Sequence, residues 1–213
     1  MVPHFYWGIV TDNVDPDKMN RVRVSKEGEE PGVTDWLPVM SPYASDVAGL
    51  NFIPDIGDQV LIICLDRGDV SKVVIGSIWF NEALPPETEE NTEADLNKDG
   101  ENTLRFFRSR AGSMLIFDDT EDEEKIQIIT SDGKTRLEFC LEDEGISLTT
   151  EYDIKMSSEG KTHFNSENAE IEIISEKLMT ITAGTDLQID TEDDIDFEAG
   201  KDMDIKARDI SLN

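Results

Sequence analysis

Histidine, cysteine and positive charge are all in short supply in this chain. Of 213 residues, 2 are histidines and 2 are cysteines, and 19 bases stand against 48 acids. With His4 and His163 the only histidines, and neither beside a sequence-adjacent nucleophile, acid–base or nucleophilic catalysis has little to stand on. Cys64 and Cys140 lie in apolar, strand-like runs without metal-ligand spacing, so both are expected as buried free thiols. The formal charge of −29 is spread throughout: 12 acids and 6 bases in residues 1–81, 8 and 1 in 82–104, 28 and 12 in 105–213. Such a surface repels phosphate backbones and anionic lipid, which disfavours nucleic-acid binding. Long apolar runs are missing as well. The longest, residues 60–65, is far too short for a membrane span, and residues 1–10 lack a signal peptide's basic start and apolar core.

What the chain has is a repeat. From residue 146 an apolar–x–apolar pair returns about every eight residues. The pairs are Ile146 with Leu148, Ile154 with Met156, Thr162 with Phe164, Ile171 with Ile173, Met179 with Ile181, Leu187 with Ile189, Ile195 with Phe197, Met203 with Ile205, and Ile210 with Leu212. The steps are 8, 8, 9, 8, 8, 8, 8 and 7, and Gly, Asp, Glu, Lys, Thr and Ser lie between. Alternation over three residues predicts a short strand with one buried face, and the polar remainder turns a corner. Strands of fixed period stack into a β-solenoid or β-prism. One octad offers only two inward side chains, too few to offset the entropy of ordering it alone. Either one chain folds three octads into a rung of roughly 24 residues, or three chains each contribute one wall. The single-chain rung calls for a feature at every third octad, and none is present. Three identical walls are the better expectation, with the paired residues above as trimer core (Thr162 and Phe164 being a degraded pair).

Upstream, residues 4–81 hold five short β-rich runs, HFYWGIVTD, NRVRVSKEG, DWLPVMSP, GDQVLIICLD and SKVVIGSIWF. The turns between them predict a small Greek-key barrel of the OB (oligonucleotide/oligosaccharide-binding) type. Residues 82–104, acidic and almost without apolar side chains, read as an exposed linker. From 105 onward the pattern is continuously β-like, with a turn at Ser131-Asp132-Gly133-Lys134. The expected organisation is all-β: an OB barrel over 1–81, a linker over 82–104 and a trimeric triple-stranded β-helix shaft over 105–213.

The ordered series Asp15-Pro16, Trp36, Pro42, Pro54, Gly57-Asp58, Gly68-Asp69 and Val74-x-Gly76-Ser77 resembles the OB domain of phage baseplate spikes. That family includes baseplate assembly protein V and the VgrG spike of type VI secretion. Residues 108–139 are similar to the opening of its shaft, and the octads to its triple-stranded β-helix. The resemblance implies a homotrimeric needle of a phage tail, tailocin or related particle, made in the bacterial cytoplasm and assembled in a baseplate. It implies a separate trimeric hub, because the OB motifs start almost at Met1. It leaves no room in 82–104 for a lysozyme domain. A chain ending without a histidine after His163 suggests a separate tip of the PAAR type. The target of the needle is a cell envelope.

Other motifs carry less. Three copies of an inward His163 would form an axial metal site, but a surface or corner histidine is the plainer reading. Asp95-x-Asn97-x-Asp99-Gly100 copies half an EF-hand loop, yet the twelfth position falls on Phe106, so an ordinary turn is expected. Arg67-Gly68-Asp69 matches a strand-to-strand turn. Arg105, Arg108 and Arg110 form a basic cluster that faces either the acidic linker or the barrel–shaft junction. No catalytic residue, cofactor or metal site is expected, and the protein is read as a structural spike. The rival reading, a receptor- or carbohydrate-binding fibre, calls for exposed aromatics forming a groove; most aromatics here sit in alternating patterns that look buried. An envelope hydrolase is a distant third.

Overall fold

The computed structural model describes residues 3–26, 32–65, 71–80, 83–86, 102–142 and 144–209. The EF-hand-like segment, Arg67-Gly68-Asp69, most of the expected linker, and Ile210 and Leu212 lie outside the described residues. Among those described there is no helix. The chain divides into two compact units, Met1–Lys155 and Met156–Asn213.

The first unit opens with a barrel. Its strands are β1 (His4–Asp12), β2 (Arg21–Lys26) and β3 (Leu37–Pro38), then a small hairpin of β4 (Ala44–Ser45) and β5 (Ala48–Gly49), then β6 (Gln59–Cys64) and β7 (Lys72–Ile78). The sheet order β3-β2-β1-β6-β7 closes on itself through a parallel bridge from Val39 to Val74, with Met40 N donating to Val74 O at 2.8 Å. The circular order β1-β2-β3-β7-β6 is that of the expected five-stranded Greek key. Inside it Val10, Val22, Val24, Leu37, Val60, Ile62 and Val74 form one buried cluster. Medium-sized, mostly β-branched side chains fill so narrow an interior, each stabilising it by about 1.5–3 kcal/mol on burial. Gly8 marks the tightest point: a Cβ there would strike the Val24 side chain and come within 2.7 Å of Ser25 O.

The β1–β2 loop is organised by one carboxylate. Asp15 accepts from the backbone N of Asp17 (3.1 Å), Met19 (2.8 Å) and Arg21 (3.3 Å), and from Arg21 Nε (2.9 Å) and Nη2 (2.6 Å). Its side chain is 3% exposed. These bonds hold Lys18 and Asn20 at φ 57, where non-glycine residues are uncommon. The Arg21 guanidinium, followed by the three backbone N–H groups, pulls the Asp15 pKa far below the usual carboxylate range against an opposing effect of burial.

A five-stranded meander follows: β8 (Leu104–Arg108), β9 (Met114–Asp118), β10 (Lys125–Ile129), β11 (Thr135–Cys140) and β12 (Gly145–Thr150). Leu104, expected at the end of the linker, instead opens β8 and is buried with Ile116 and Ile129. The β10–β11 turn falls at the expected Asp132-Gly133, with Gly133 at φ 71. Cys64 is buried and Cys140 only half-buried, both as free thiols. Cys140 is less covered than expected because it closes a strand beside the turn to β12.

From residue 151 onward the octads are visible in the backbone. Bends recur at 151–152, 159–160, 167–169, 176–177, 184–185, 192–193, 200–201 and 208, with straight segments between. The one longer bend, 167–169, falls at the nine-residue step. Residues 151–209 form no strand ladder within the chain, and every one is exposed. Strand structure is defined by a paired neighbour, and a single copy offers these segments none.

The expected core residues of the octads are therefore not core residues of the isolated chain. Ile146, Leu148, Ile154, Met156, Ile171, Ile173, Met179, Ile181, Leu187, Ile189, Ile195, Phe197, Met203 and Ile205 are all exposed. The second members of the later pairs are open: Ile173 is 74% exposed, Ile181 70%, Ile189 58%, Phe197 69% and Ile205 68%. The physical reason is that two apolar side chains per octad enclose nothing by themselves. They can be buried only by another wall, and the single chain supplies none.

Candidate assembly surface

Register determines what the meander presents. Phe107 pairs with Leu115, Leu115 with Ile128, Ile128 with Leu137, and Leu137 with Leu148. One step along, Phe117, Ile126, Phe139 and Ile146 form a second row. Directly opposed residues in antiparallel strands share a face, so both rows lie on the same side of the sheet. Most of these side chains are exposed. The opposite face carries Leu104, Phe106, Ile116, Gln127 and Ile129, where the buried cluster sits.

Ile146 and Leu148 hold two positions at once. They are on the last strand of the meander and form the first expected core pair of the octads. The later pairs keep the same apolar–x–apolar spacing, and both members of each, from Ile171 and Ile173 to Met203 and Ile205, are open to solvent. Phe164 is exposed too, as is His163.

At the end of the meander a polar clamp fixes the chain. Tyr152 donates its hydroxyl to Asp132 Oδ2 (2.7 Å), while Thr130 Oγ1 (2.7 Å) and Lys134 N (3.1 Å) donate to Oδ1. Lys134 Nζ pairs with Glu151 (2.6 Å) and lies 5.6 Å from the Tyr152 ring centre. The Thr130 hydroxyl, then that of Tyr152, then the Lys134 N–H lower the Asp132 pKa to about 2. In return the Asp132 carboxylate raises that of Tyr152.

The basic cluster works at the junction of barrel and meander. Arg105 pairs with Asp119 (2.8 Å) and Arg110 reaches Asp55 of the barrel (3.2 Å). Beside them Phe52 stacks on Phe107, centroids 5.9 Å apart and planes within 8°. The two rings border a largely apolar cleft of about 900 Å³ that Trp79, Pro85, Pro86, Met114 and Leu115 also line, with Arg108 and Ser113 among its polar residues.

Aromatic burial departs from expectation. None of the 15 Phe, Trp and Tyr side chains is fully buried, and 11 are exposed. The alternation is real, but Val, Ile and Leu take the inward positions of the barrel and the aromatics fall on faces that one copy leaves open. The hairpin β4–β5, the Tyr152–Asp132 clamp and Gln127 escaped sequence reading. Gln127 is fully buried, gives Nε2 to Glu138, and its Oε1 finds no donor among the described residues. Its only sequence signal was a polar residue at an apolar-alternating position. Among the described residues no three His, Cys, Asp or Glu side chains cluster as a metal site, and no helix is long and apolar enough to cross a membrane.

Comparison with known families adds a direct link. Residues 6–79, the barrel, match the type VI secretion system/phage-baseplate injector OB domain. The baseplate-spike resemblance is thus shown over this segment, and the matching motifs have physical roles: Asp15 ties the β1–β2 loop and Gly57, at φ 98, turns the chain into β6. No curated protein matches the chain.

Proposed function

We propose that this protein is the central spike of a contractile injection machine, assembled as a homotrimer whose octads wind into a triple-stranded β-helical needle. One observation carries the reading. The apolar rows of the meander end on Ile146 and Leu148, the first of a series of octad pairs, and the lone chain leaves the rows and the series uncovered. Exposed apolar area of that extent marks an association site. The uniform octads, all turned alike by regular bends, favour three equivalent walls over a three-octad rung in one chain, which would need ladders between residues about 24 apart.

The barrels then form a collar on a trimeric hub, and a PAAR-type protein caps the far end. Sheath contraction drives the stiff needle into the target envelope. The chain's own contribution is stiffness, from interchain backbone ladders and layers in which each core residue meets two copies of itself. Light scattering on the eluting protein tests the trimer: a mass near 71.7 kDa, three times 23.9 kDa, is expected, and a monomer would overturn it.

The carbohydrate-binding fibre gains one observation, the exposed aromatics Phe52, Trp79 and Phe107 around the cleft. Sugar sites set polar groups to fix hydroxyls, and this lining is mostly apolar, which weighs for protein contact. A glycan array showing specific binding would reverse that preference.

A further inference from the structure

The β10–β11 turn carries a chemically unstable pair. In Asp132-Gly133 an aspartate precedes a residue without a side chain, so nothing on Gly133 shields its nitrogen from the Asp132 carboxyl group. The surroundings are open as well: a Cβ at position 133 would meet nothing within 4 Å, and residues 131–134 are all exposed to water. Such a pair can cyclise. Gly133 N attacks Asp132 Cγ, an N–C bond forms, and the carboxyl hydroxyl leaves with the nitrogen's proton as water. Water then reopens the succinimide at either carbonyl. Opening at the former main-chain carbonyl leaves the chain running through the aspartate side chain, as isoaspartate. The neutral acid is the reactive form, because an ionised carboxylate oxygen is no leaving group.

Each atom that the reaction needs is engaged. Thr130 Oγ1 (2.7 Å) and Lys134 N (3.1 Å) donate to Asp132 Oδ1, and the Tyr152 hydroxyl (2.7 Å) donates to Oδ2. Gly133 N itself donates to Thr130 O (2.9 Å). Donors to a carboxylate favour its ionised form, and Thr130, Tyr152 and Lys134, in that order, lower the Asp132 pKa. Cyclisation would expel one of the oxygens they hold. Of the three donors only Tyr152 comes from outside the turn, 20 residues along the chain.

We infer that Asp132-Gly133 is a latent isomerisation site and that Tyr152 is the positioning residue that keeps it closed. The coupling runs both ways. Glu151 N donates to Lys134 O (3.1 Å) and Lys134 Nζ pairs with Glu151 (2.6 Å), so the turn also holds residues 151–152, where the first octad bend falls. Isoaspartate lengthens the backbone of the turn by one carbon and moves the carboxylate that Tyr152 grips. Loss of the clamp opens the site, and reaction at the site removes the clamp. The inference is independent of the trimeric reading.

The test is ageing of the full chain at about pH 5, where an ordinary aspartate still keeps a small neutral fraction. Trypsin then releases residues 126–134 and 99–105 as separate peptides, each with one Asp-Gly pair. Isoaspartate in each is read by labelling with a protein-isoaspartate methyltransferase and mass spectrometry. Residues 126–134 are expected to isomerise at least about tenfold more slowly in the folded protein than as the free peptide. Tyr152→Phe keeps the ring and loses only the hydroxyl of a side chain that is 56% exposed. It should accelerate the reaction at Asp132 at least about threefold and leave residues 99–105 ageing as before. Folded wild type ageing at the free-peptide rate would overturn the closed site. A rate untouched by Tyr152→Phe would overturn the role of Tyr152. Equal acceleration in both peptides would trace the effect to general loosening and overturn that role too.

Discussion

At the scale of single residues, the barrel rests on a few side chains whose surroundings leave no substitute. Asp15→Asn keeps the shape but loses the charge that Arg21 and three N–H groups address. Its melting midpoint is expected to fall by about 5 °C or more, whereas Asp17→Asn, at the exposed end of the same network, should shift it little. Scanning calorimetry of both variants decides this; equal effects would deny Asp15 its organising role. Asp132 gives a pH signature. With its folded pKa lowered to about 2 from an ordinary 3.8, it contributes stability fully above pH 3.8 and loses it as pH falls towards 2. The stability difference between wild type and Asp132→Asn should be constant from about pH 5 to 7 and shrink through that acid window. Sequence showed Asp15-Pro16 as a motif but not its bonds, because three of the donors are backbone groups without residue identity and the Arg21 side chain meets Asp15 only through the folded loop. It also misjudged the aromatics, since alternation tells that a strand has two faces and not which of them its own chain covers.

At the scale of elements, β1, β2, β6 and β7 of the barrel were legible to within a few residues, because closed sheets need regular alternation, whereas the run at 35–42 forms only the two-residue β3. The hairpin β4–β5 was not, as two-residue strands leave no periodic trace. Within the barrel, Ile62→Ala should cost about 2–5 kcal/mol, read by denaturant unfolding, because Ile62 is fully buried among the inner valines. The octads invert that logic. Their period was plain in the sequence, but a period names the residues of a face without naming what covers it, so Ile173, Ile181, Ile189, Phe197 and Ile205 stand open in one copy. Ile195 is exposed likewise, so Ile195→Asp should leave the barrel's own unfolding unchanged while preventing or fraying trimer assembly, where one layer would hold three buried carboxylates. A trimer of unaltered melting would show that Ile195 does not face the axis.

At the scale of the whole molecule, charge opposes assembly. In the proposed trimer three chains of −29 would lie along one axis, so association should strengthen about tenfold or more between roughly 0.01 M and 0.15 M salt, as the screening length shortens. Sedimentation at the two salt concentrations measures it, and a salt-independent equilibrium would contradict a surface-charge barrier. Composition made the acidity plain, but not that apolar area on the meander stands against it, which depends on pairing register. That register has a further consequence. Octads so alike give three chains many nearly degenerate ways to align, each offset from the next by one repeat. The meander is unique in sequence and ends in the first octad, with Phe139 opposite Ile146 and Leu137 opposite Leu148. In the proposed trimer it would therefore phase the three chains before the repeats engage, and a shaft deprived of it would assemble as a mixture of slipped isomers with ragged ends.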